Sequence, residues 1–245
     1  MATWILGDIH GCADELAQLV DQLQLGPDDR LWSCGDLFHR GPDPVGVMEV
    51  LRAHGARFIL GNHERAVLER VGLAPKRADA RDRPPLRERF PDLDPQDLAG
   101  DGGEPCEVDP QRRVEILHYL QQHDGYFATD ASIEGAGPTR DGRPWWLVHA
   151  GVEPDRAPAE CSAFALTRIR RMRGRNAPWW YELHRGPELV LFGHSAARKP
   201  IQHRVRGRLL ALGLDTGCVY GGTLTAYSPE LDEFASVRAL RAWAA

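Results

Sequence analysis

Leu6-Gly7-Asp8-Ile9-His10-Gly11 is the stretch on which the rest of the chain is read. The apolar run Trp4-Ile5-Leu6 has the character of a buried strand, and it ends in a glycine turn that offers a carboxylate and an imidazole separated by one residue. In extended backbone, residues i and i+2 point the same way, so Asp8 and His10 can converge on one ion. An isolated Asp-x-His carries little information, but the same grammar of strand, glycine and ligand recurs. It is present in Cys34-Gly35-Asp36, Leu60-Gly61-Asn62-His63, Val148-His149-Ala150-Gly151 and Phe192-Gly193-His194. Five strand ends that each deliver an oxygen or nitrogen donor point to a shared site at one edge of a layered structure.

Outward from that stretch, Leu16, Leu19, Val20 and Leu23 fall at helical spacing, and Gly26-Pro27 supplies a stop. Arg30 to Cys34 reads as a second strand that delivers Asp36. Asp43 is placed as an N-cap with Pro44 in the first turn, and Val47, Val50 and Leu51 form the apolar stripe of that helix. A third strand, Arg57 to Leu60, delivers Asn62, and Glu64 then opens a helix whose dipole its charge suits. Further on, Arg112 to His123 is helical, and Pro144 to Val148 and Glu188 to Phe192 are strands leading to His149 and His194. Leu166, Ile169 and Met172 are expected on one helix face with Arg168, Arg171 and Arg175 on another, and three short strands are expected from Leu209 onward. Alternating strands and helices predict an α/β layer structure with its site at the strands' C-terminal ends. Between Ala74 and Arg113 prolines recur at 75, 84, 85, 91, 95, 105 and 110, a pattern of either disorder or a functional insertion; because Leu86, Phe90, Leu93 and Leu98 offer something to bury, a small, partly helical cap insertion is the expectation at about 74–113.

Composition narrows the class. A chain of 245 residues is expected to form a single domain spanning residues 1–245, and its formal net charge of −5 makes no global case for nucleic-acid or membrane binding. No apolar run is long enough to span a bilayer, and the N-terminus lacks the order of a signal peptide, so export is disfavoured and a cytoplasmic location expected. Cys12, Cys34, Cys106, Cys161 and Cys218 are odd in number, scattered and free of Cys-x-x-Cys pairs, which fits a reducing compartment and excludes a zinc ribbon. Lys76 and Lys199 are the only lysines among many arginines.

Taken in order, Gly-Asp-x-His-Gly, Gly-Asp-x-x-x-Arg-Gly, Gly-Asn-His-Glu, His-Ala-Gly and Gly-His resemble the calcineurin-like metallophosphoesterases, in their phosphoprotein phosphatase branch. The segment Leu214-Asp215-Thr216-Gly217-Cys218-Val219-Tyr220-Gly221-Gly222 is similar to the C-terminal part of the bacterial symmetrical diadenosine tetraphosphatases. The resemblance implies an α/β (α+β) fold, a two-sheet β-sandwich flanked by helices. It implies two divalent ions, with Asp8, His10 and Asp36 at the first, Asp36, Asn62, His149 and His194 at the second, and Asp36 as the bridge. Oxygen and imidazole donors without thiolate suit Mn²⁺, Fe or Zn²⁺, with Co²⁺ and Mg²⁺ also compatible, and among these the resemblance implies Mn²⁺. His63 matches the residue that protonates the leaving oxygen, and Arg40 the arginine that clamps phosphate. Asn62 is also placed against substrate phosphate, and Arg168 and Arg170 lie in an element similar to one that could bind outer phosphates.

One position departs from the protein-phosphatase pattern. His39 stands where those enzymes carry an aspartate beside the catalytic histidine, so the chain supplies no fixed negative charge there. The tetraphosphatases commonly lack that aspartate, and the balance moves toward a nucleotide anhydride, whose leaving group is the better one. The resulting expectation is a monomeric enzyme that hydrolyses diadenosine tetraphosphate to two ADP, and by extension tetraphosphate-capped RNA 5′ ends. A protein serine/threonine or tyrosine phosphatase acting on phosphoproteins is the alternative, and a nucleotide- or RNA-end-binding protein with a relic site is a third. Asp36→Asn is expected to lower metal occupancy and turnover by at least about 100-fold, the upper range for loss of a mere outer-shell partner. Elemental analysis and phosphate release check it, and near-wild-type values for both would remove Asp36 as the bridge.

Overall fold

The computed structural model describes residues 1–70, 110–122, 132–172 and 176–244. Apart from 110–113, the cap expected at about 74–113 lies outside the described residues, as do Cys106 and Arg175. In chain order the first elements are β1 (Thr3–Leu6), α1 (Ala13–Leu23), β2 (Arg30–Ser33), α2 (Pro44–Ala53), β3 (Arg57–Phe58) and α3 (Asn62–Arg70). Then come α4 (Pro110–Gln122), β4 (Ser132–Glu134), β5 (Trp145–Val148), α5 (Ala163–Arg168) and α6 (Trp180–Leu183). The chain closes with β6 (Leu189–Phe192), β7 (Ile201–Val205), β8 (Arg208–Gly213), β9 (Thr223–Ser228) and β10 (Glu233–Arg238).

The strands form two five-stranded sheets, ordered β10-β9-β1-β2-β3 and β4-β5-β6-β8-β7. Each sheet has three mutually parallel strands, β1, β2 and β3 in one and β5, β6 and β8 in the other, flanked by antiparallel partners. Period-two alternation assigns the faces. Ile5, Trp32, Trp145, Leu147, Leu189 and Leu191 belong to the layer between the sheets, where the rings of Trp32 and Trp145 lie 5.4 Å apart. Their neighbours Trp4, Leu6 and Leu31 turn outward beneath α1, α2 and α4, and Val148, Val190 and Phe192 turn outward beneath α5 and α6. The inner strands are therefore apolar on both faces, which is why they read as continuous hydrophobic runs. The expected two-sheet sandwich flanked by helices is the fold observed.

Asp43 caps α2 as expected, its Oδ1 accepting from the Gly46 amide at 2.8 Å, with Pro44 at the first position. Two local expectations need correction. β3 holds only Arg57 and Phe58, because Ile59 makes a last bond to Ser33 O at 3.2 Å and the chain then turns at Gly61 beneath Asp36. The helix carrying Leu166 stops at Arg168, since Ala150 N takes the Leu166 carbonyl at 2.7 Å that residue 170 would need; Arg171 instead bridges to Trp179. Ile169 and Met172 therefore do not share a helix face with Leu166. β7 was not anticipated, because Ile201–Val205 alternates between half-buried and exposed positions and has no apolar run. Among the described residues no helix is long and apolar enough to cross a membrane, and Cys12, Cys34, Cys161 and Cys218 are buried and unpaired.

Candidate metal centre

All six parallel strands point their C-terminal ends at one place. β1 leads to Asp8 and His10, β2 to Asp36, β3 to Asn62 and His63, β5 to His149, β6 to His194 and β8 to Asp215. The turns after them are held so tightly that side chains replace space. A Cβ on Gly193 would sit 2.0 Å from Asp8 Oδ1, and one on Gly61 would sit 1.9 Å from Asp36 Oδ1. His10, Asp36, Arg40 and His194 have φ of 50°, 53°, 77° and 65°, left-handed values that non-glycine residues rarely adopt. Strain of this kind persists where surrounding contacts over-determine it, as they do at functional sites.

Asp36 lies at the middle. Its Oδ2 is 3.5 Å from His149 Nε2, 3.7 Å from His10 Nε2 and 3.9 Å from His63 Nε2. Two donor groups share it, His10 with His63 on one side and His149 with His194 on the other. Asp8 Oδ2 stands 4.0 Å from His10 Nε2, and both Asp8 oxygens accept from the His194 amide, at 3.1 and 3.0 Å. The order of motifs in the sequence predicts that these residues converge, and the structure places Asp8, His10, Asp36, Asn62, His149 and His194 in one cluster. His63 joins the same cluster, grouped with His10 and Asp36.

The proton positions test whether cations fit. His149 Nδ1 lies 2.8 Å from the Cys34 carbonyl, which can only accept, so Nδ1 carries the proton and Nε2 presents a lone pair. That lone pair faces Asn62 Oδ1 at 3.1 Å and Asp36 Oδ2 at 3.5 Å. Three acceptors aimed at one another call for a cation between them. The charges agree: burial, then Asp215 and Asp36, pushes Asp8 well above the carboxylate range, and burial also raises Asp36. Burial lowers His10 well below its usual value, His149 to about 4, and His194, with help from His149 and Arg170, to about 2. Acids driven toward neutrality beside bases kept neutral fit a set of donors awaiting positive charge.

Glu64 is the group that sequence reasoning undervalued. It is buried, and its carboxylate accepts from the amides of Gly61 (3.0 Å), Asp36 (2.8 Å) and Leu37 (2.8 Å), tying the β2 and β3 turns together. Burial, then Asp36, lifts its pKa to about 7. A charge at a helix start is the same signal whether it faces solvent or spans two loops, so only the fold separates those roles. Asp215 lies beside Asp8, accepts from Gly217 N at 3.0 Å, and is raised by burial to about 6.

The remaining expected residues ring the cluster. His39 is buried with its ring 5.0 Å from that of His63, so the position that departs from the protein-phosphatase pattern does adjoin His63. Arg40 donates to the Tyr220 hydroxyl and holds its guanidinium 5.7 Å from that ring's centre. Arg170 is exposed and donates to the His194 carbonyl at 2.9 Å; Arg168 is exposed at the end of α5. Trp145 and Trp180 are fully buried and pack in the core, and Trp179 stacks on Tyr181.

Residues 1–198 match the family described as calcineurin-like phosphoesterase. The chain is 33% identical to the symmetrical bis(5′-nucleosyl)-tetraphosphatase of Serratia proteamaculans, over 92% of this chain and 90% of that one. It is 32% identical to the protein of the same name from Yersinia pseudotuberculosis, over 99% and 94%. A crystal structure provisionally described as a diadenosine tetraphosphatase superposes with a TM-score of 0.64 at 27% identity, covering 97% of this chain and 93% of that one.

Glu64→Ala leaves three buried amides unpaired, at about 1–3 kcal/mol for each such group, so a loss of about 3 kcal/mol or more is expected. At about 2–4 °C per kcal/mol for a chain of this size, a thermal melt would fall by about 6 °C or more, with weakened metal retention. In metal-free protein the raised carboxylates contribute stability that is complete near pH 4 and is lost as pH rises through about 6 for Asp215 and about 7 for Glu64. The lowered imidazoles contribute oppositely, losing stability only as pH falls below the usual histidine value of 6.5. The imidazoles stay neutral with or without metal, so their contribution is common to both forms, whereas the carboxylate contribution belongs to metal-free protein alone; the gap between the melting temperatures of metal-loaded and chelator-treated protein is therefore expected to widen from pH 6.5 to 7.5. A constant gap between the two curves would contradict the assignment.

Proposed function

The chain belongs to the calcineurin-like phosphoesterase family, and on that premise we propose that it hydrolyses diadenosine tetraphosphate symmetrically, giving two ADP. The observation that carries the reaction class is Asp36 Oδ2, shared within 3.9 Å by imidazole nitrogens of His149, His10 and His63. The choice of substrate is supported by relatives so named that align along nearly the whole chain. In this reading Asp8, His10 and Asp36 hold the first ion, and Asp36, Asn62, His149 and His194 the second. Mn²⁺ is the ion proposed, on the family resemblance, from among the several that a donor set of carboxylate, amide and imidazole without thiolate accepts. When bound, such a pair supplies positive charge against phosphate oxygens and water of lowered pKa.

The chain's own groups do the rest. His63 protonates the departing oxygen, Arg40 grips the phosphate being attacked with its planar fork, and Arg168 and Arg170 meet outer phosphates beside His194. His39 packs against His63 without adding a fixed charge, which suits an anhydride whose leaving phosphate is already a stable anion. Tetraphosphate-capped RNA 5′ ends carry the same linkage and belong to the same proposal. A cytoplasmic setting is part of it, consistent with the unpaired buried thiols.

Incubating metal-loaded protein with diadenosine tetraphosphate and a phosphopeptide panel, and comparing kcat/KM, tests the reading. ADP as sole nucleotide product with the higher kcat/KM is expected; a higher value on phosphopeptides would transfer the function to a protein phosphatase. His63→Ala is expected to keep its metals and lose about 10²–10⁴-fold on a phosphoserine peptide, with a smaller loss on p-nitrophenyl phosphate, which needs no acid. Equal losses on both would remove His63 from proton transfer.

A further inference from the structure

Beside the candidate metal centre lies an open cavity of about 710 Å³, lined in part by Ala197, Arg198, Thr216, Tyr220, Gly222 and Arg238. Its size falls in the range of small-molecule sites, about 300–1,000 Å³. Three links join it to the centre. Ala197 follows shortly after His194 and donates from its amide to the Asp215 carbonyl at 3.0 Å; Thr216 adjoins Asp215; and Tyr220 accepts from Arg40 through its hydroxyl.

The wall is stiff. Gly217 N donates to Asp215 Oδ1 at 3.0 Å, Tyr220 N to Gly217 O at 3.0 Å and Gly222 N to Gly217 O at 2.9 Å. A Cβ on Gly222 would stand 2.1 Å from Thr216 O, so the turn can close only with bare backbone at that point. Tyr220 projects from this turn and is 40% exposed. Among the described residues, the charged side chains lining the cavity are those of two exposed arginines, Arg198 and Arg238, with no carboxylate.

We propose that this cavity seats one nucleoside diphosphate half of the substrate and thereby selects the bond that is cut. The inference rests on the function proposed above. A dinucleoside tetraphosphate has three anhydride linkages of similar chemistry, and metal ions alone do not distinguish them. Cutting only the middle one requires a nucleoside held at a set distance from the reacting phosphorus. Water's oxygen bonds to one middle phosphorus, the bond from that phosphorus to the bridging oxygen breaks, and water's protons pass to the ADP termini or to solvent. Tyr220 offers an aromatic face for the base, the glycine backbone leaves room for the ribose, and Arg198 and Arg238 supply positive charge for the flanking phosphates. Arg40, bonded to the same tyrosine, marks the junction between seat and centre.

The double variant Arg198→Ala/Arg238→Ala, the Lys/Lys pair at the same positions, and wild type are compared on diadenosine tetraphosphate and on p-nitrophenyl phosphate, which has no second half to seat. The expected result is an about tenfold or greater fall in the ratio of the two kcat/KM values, the appearance of AMP and ATP beside ADP, and partial recovery in the Lys/Lys pair. Calorimetric titration of ADP into protein kept in chelator should weaken about tenfold in the double variant. Wild-type protein that cuts symmetrically, with variants that keep both the ratio and the single product, would overturn the seat alone. Wild-type protein that hydrolyses p-nitrophenyl phosphate and leaves diadenosine tetraphosphate intact would overturn the proposed function, and the seat with it.

Discussion

Buried donors with nothing but lone pairs to show one another are the constraint on which this structure turns. His149 gives its only proton to the Cys34 carbonyl, and its free nitrogen faces Asn62 and Asp36. Asp8 and Asp36 are buried beside His10, His149 and His194, and the protein alone drives the acids and the bases alike toward neutrality. Burying charge is costly unless it is paired, and the partners at hand are themselves acceptors. Divalent cations resolve the conflict at once, which makes metal binding and local stability two aspects of one balance.

The scaffold holds that cluster by symmetry of supply. Each sheet contributes three parallel strands, and all six end at the same edge, so no donor has to reach far. Apolar packing between the sheets and under the helices fixes the strands, and left-handed turns at His10, Asp36 and His194 aim the side chains. Glu64 joins the β2 and β3 turns through three amides. A carboxylate used in this way fixes the backbone from which Asp36 projects.

Around this centre the chain distributes positive charge in one direction. Arg40 leads toward Tyr220 and the cavity with Arg198 and Arg238, while Arg168 and Arg170 border His194. A substrate with several linked phosphates can meet such an extended array, whereas a single phosphoester uses only its middle. His39 beside His63 completes the contrast with phosphatases that carry an aspartate there.

Much of this was legible in the order of residues. A strand followed by glycine and a donor is a local pattern, and local patterns singled out Asp8, His10, Asp36, Asn62, His149 and His194 as donors at strand ends, along with the helices α1 and α2 and the central strands. Apolar runs on both faces announced strands buried on both sides. β7 escaped because an exposed edge strand needs no apolar run, and the early end of α5 escaped because its cause is Ala150, a residue distant in sequence that takes the Leu166 carbonyl. The role of Glu64, the meeting of His39 with His63, and the hydroxyl of Tyr220 on Arg40 were likewise decided only in three dimensions. Spacing along a chain specifies what each strand end offers. Which lone pairs face one another, and how far from water, depends on contacts between segments more than a hundred residues apart, such as His149 with Cys34 and Tyr220 with Arg40.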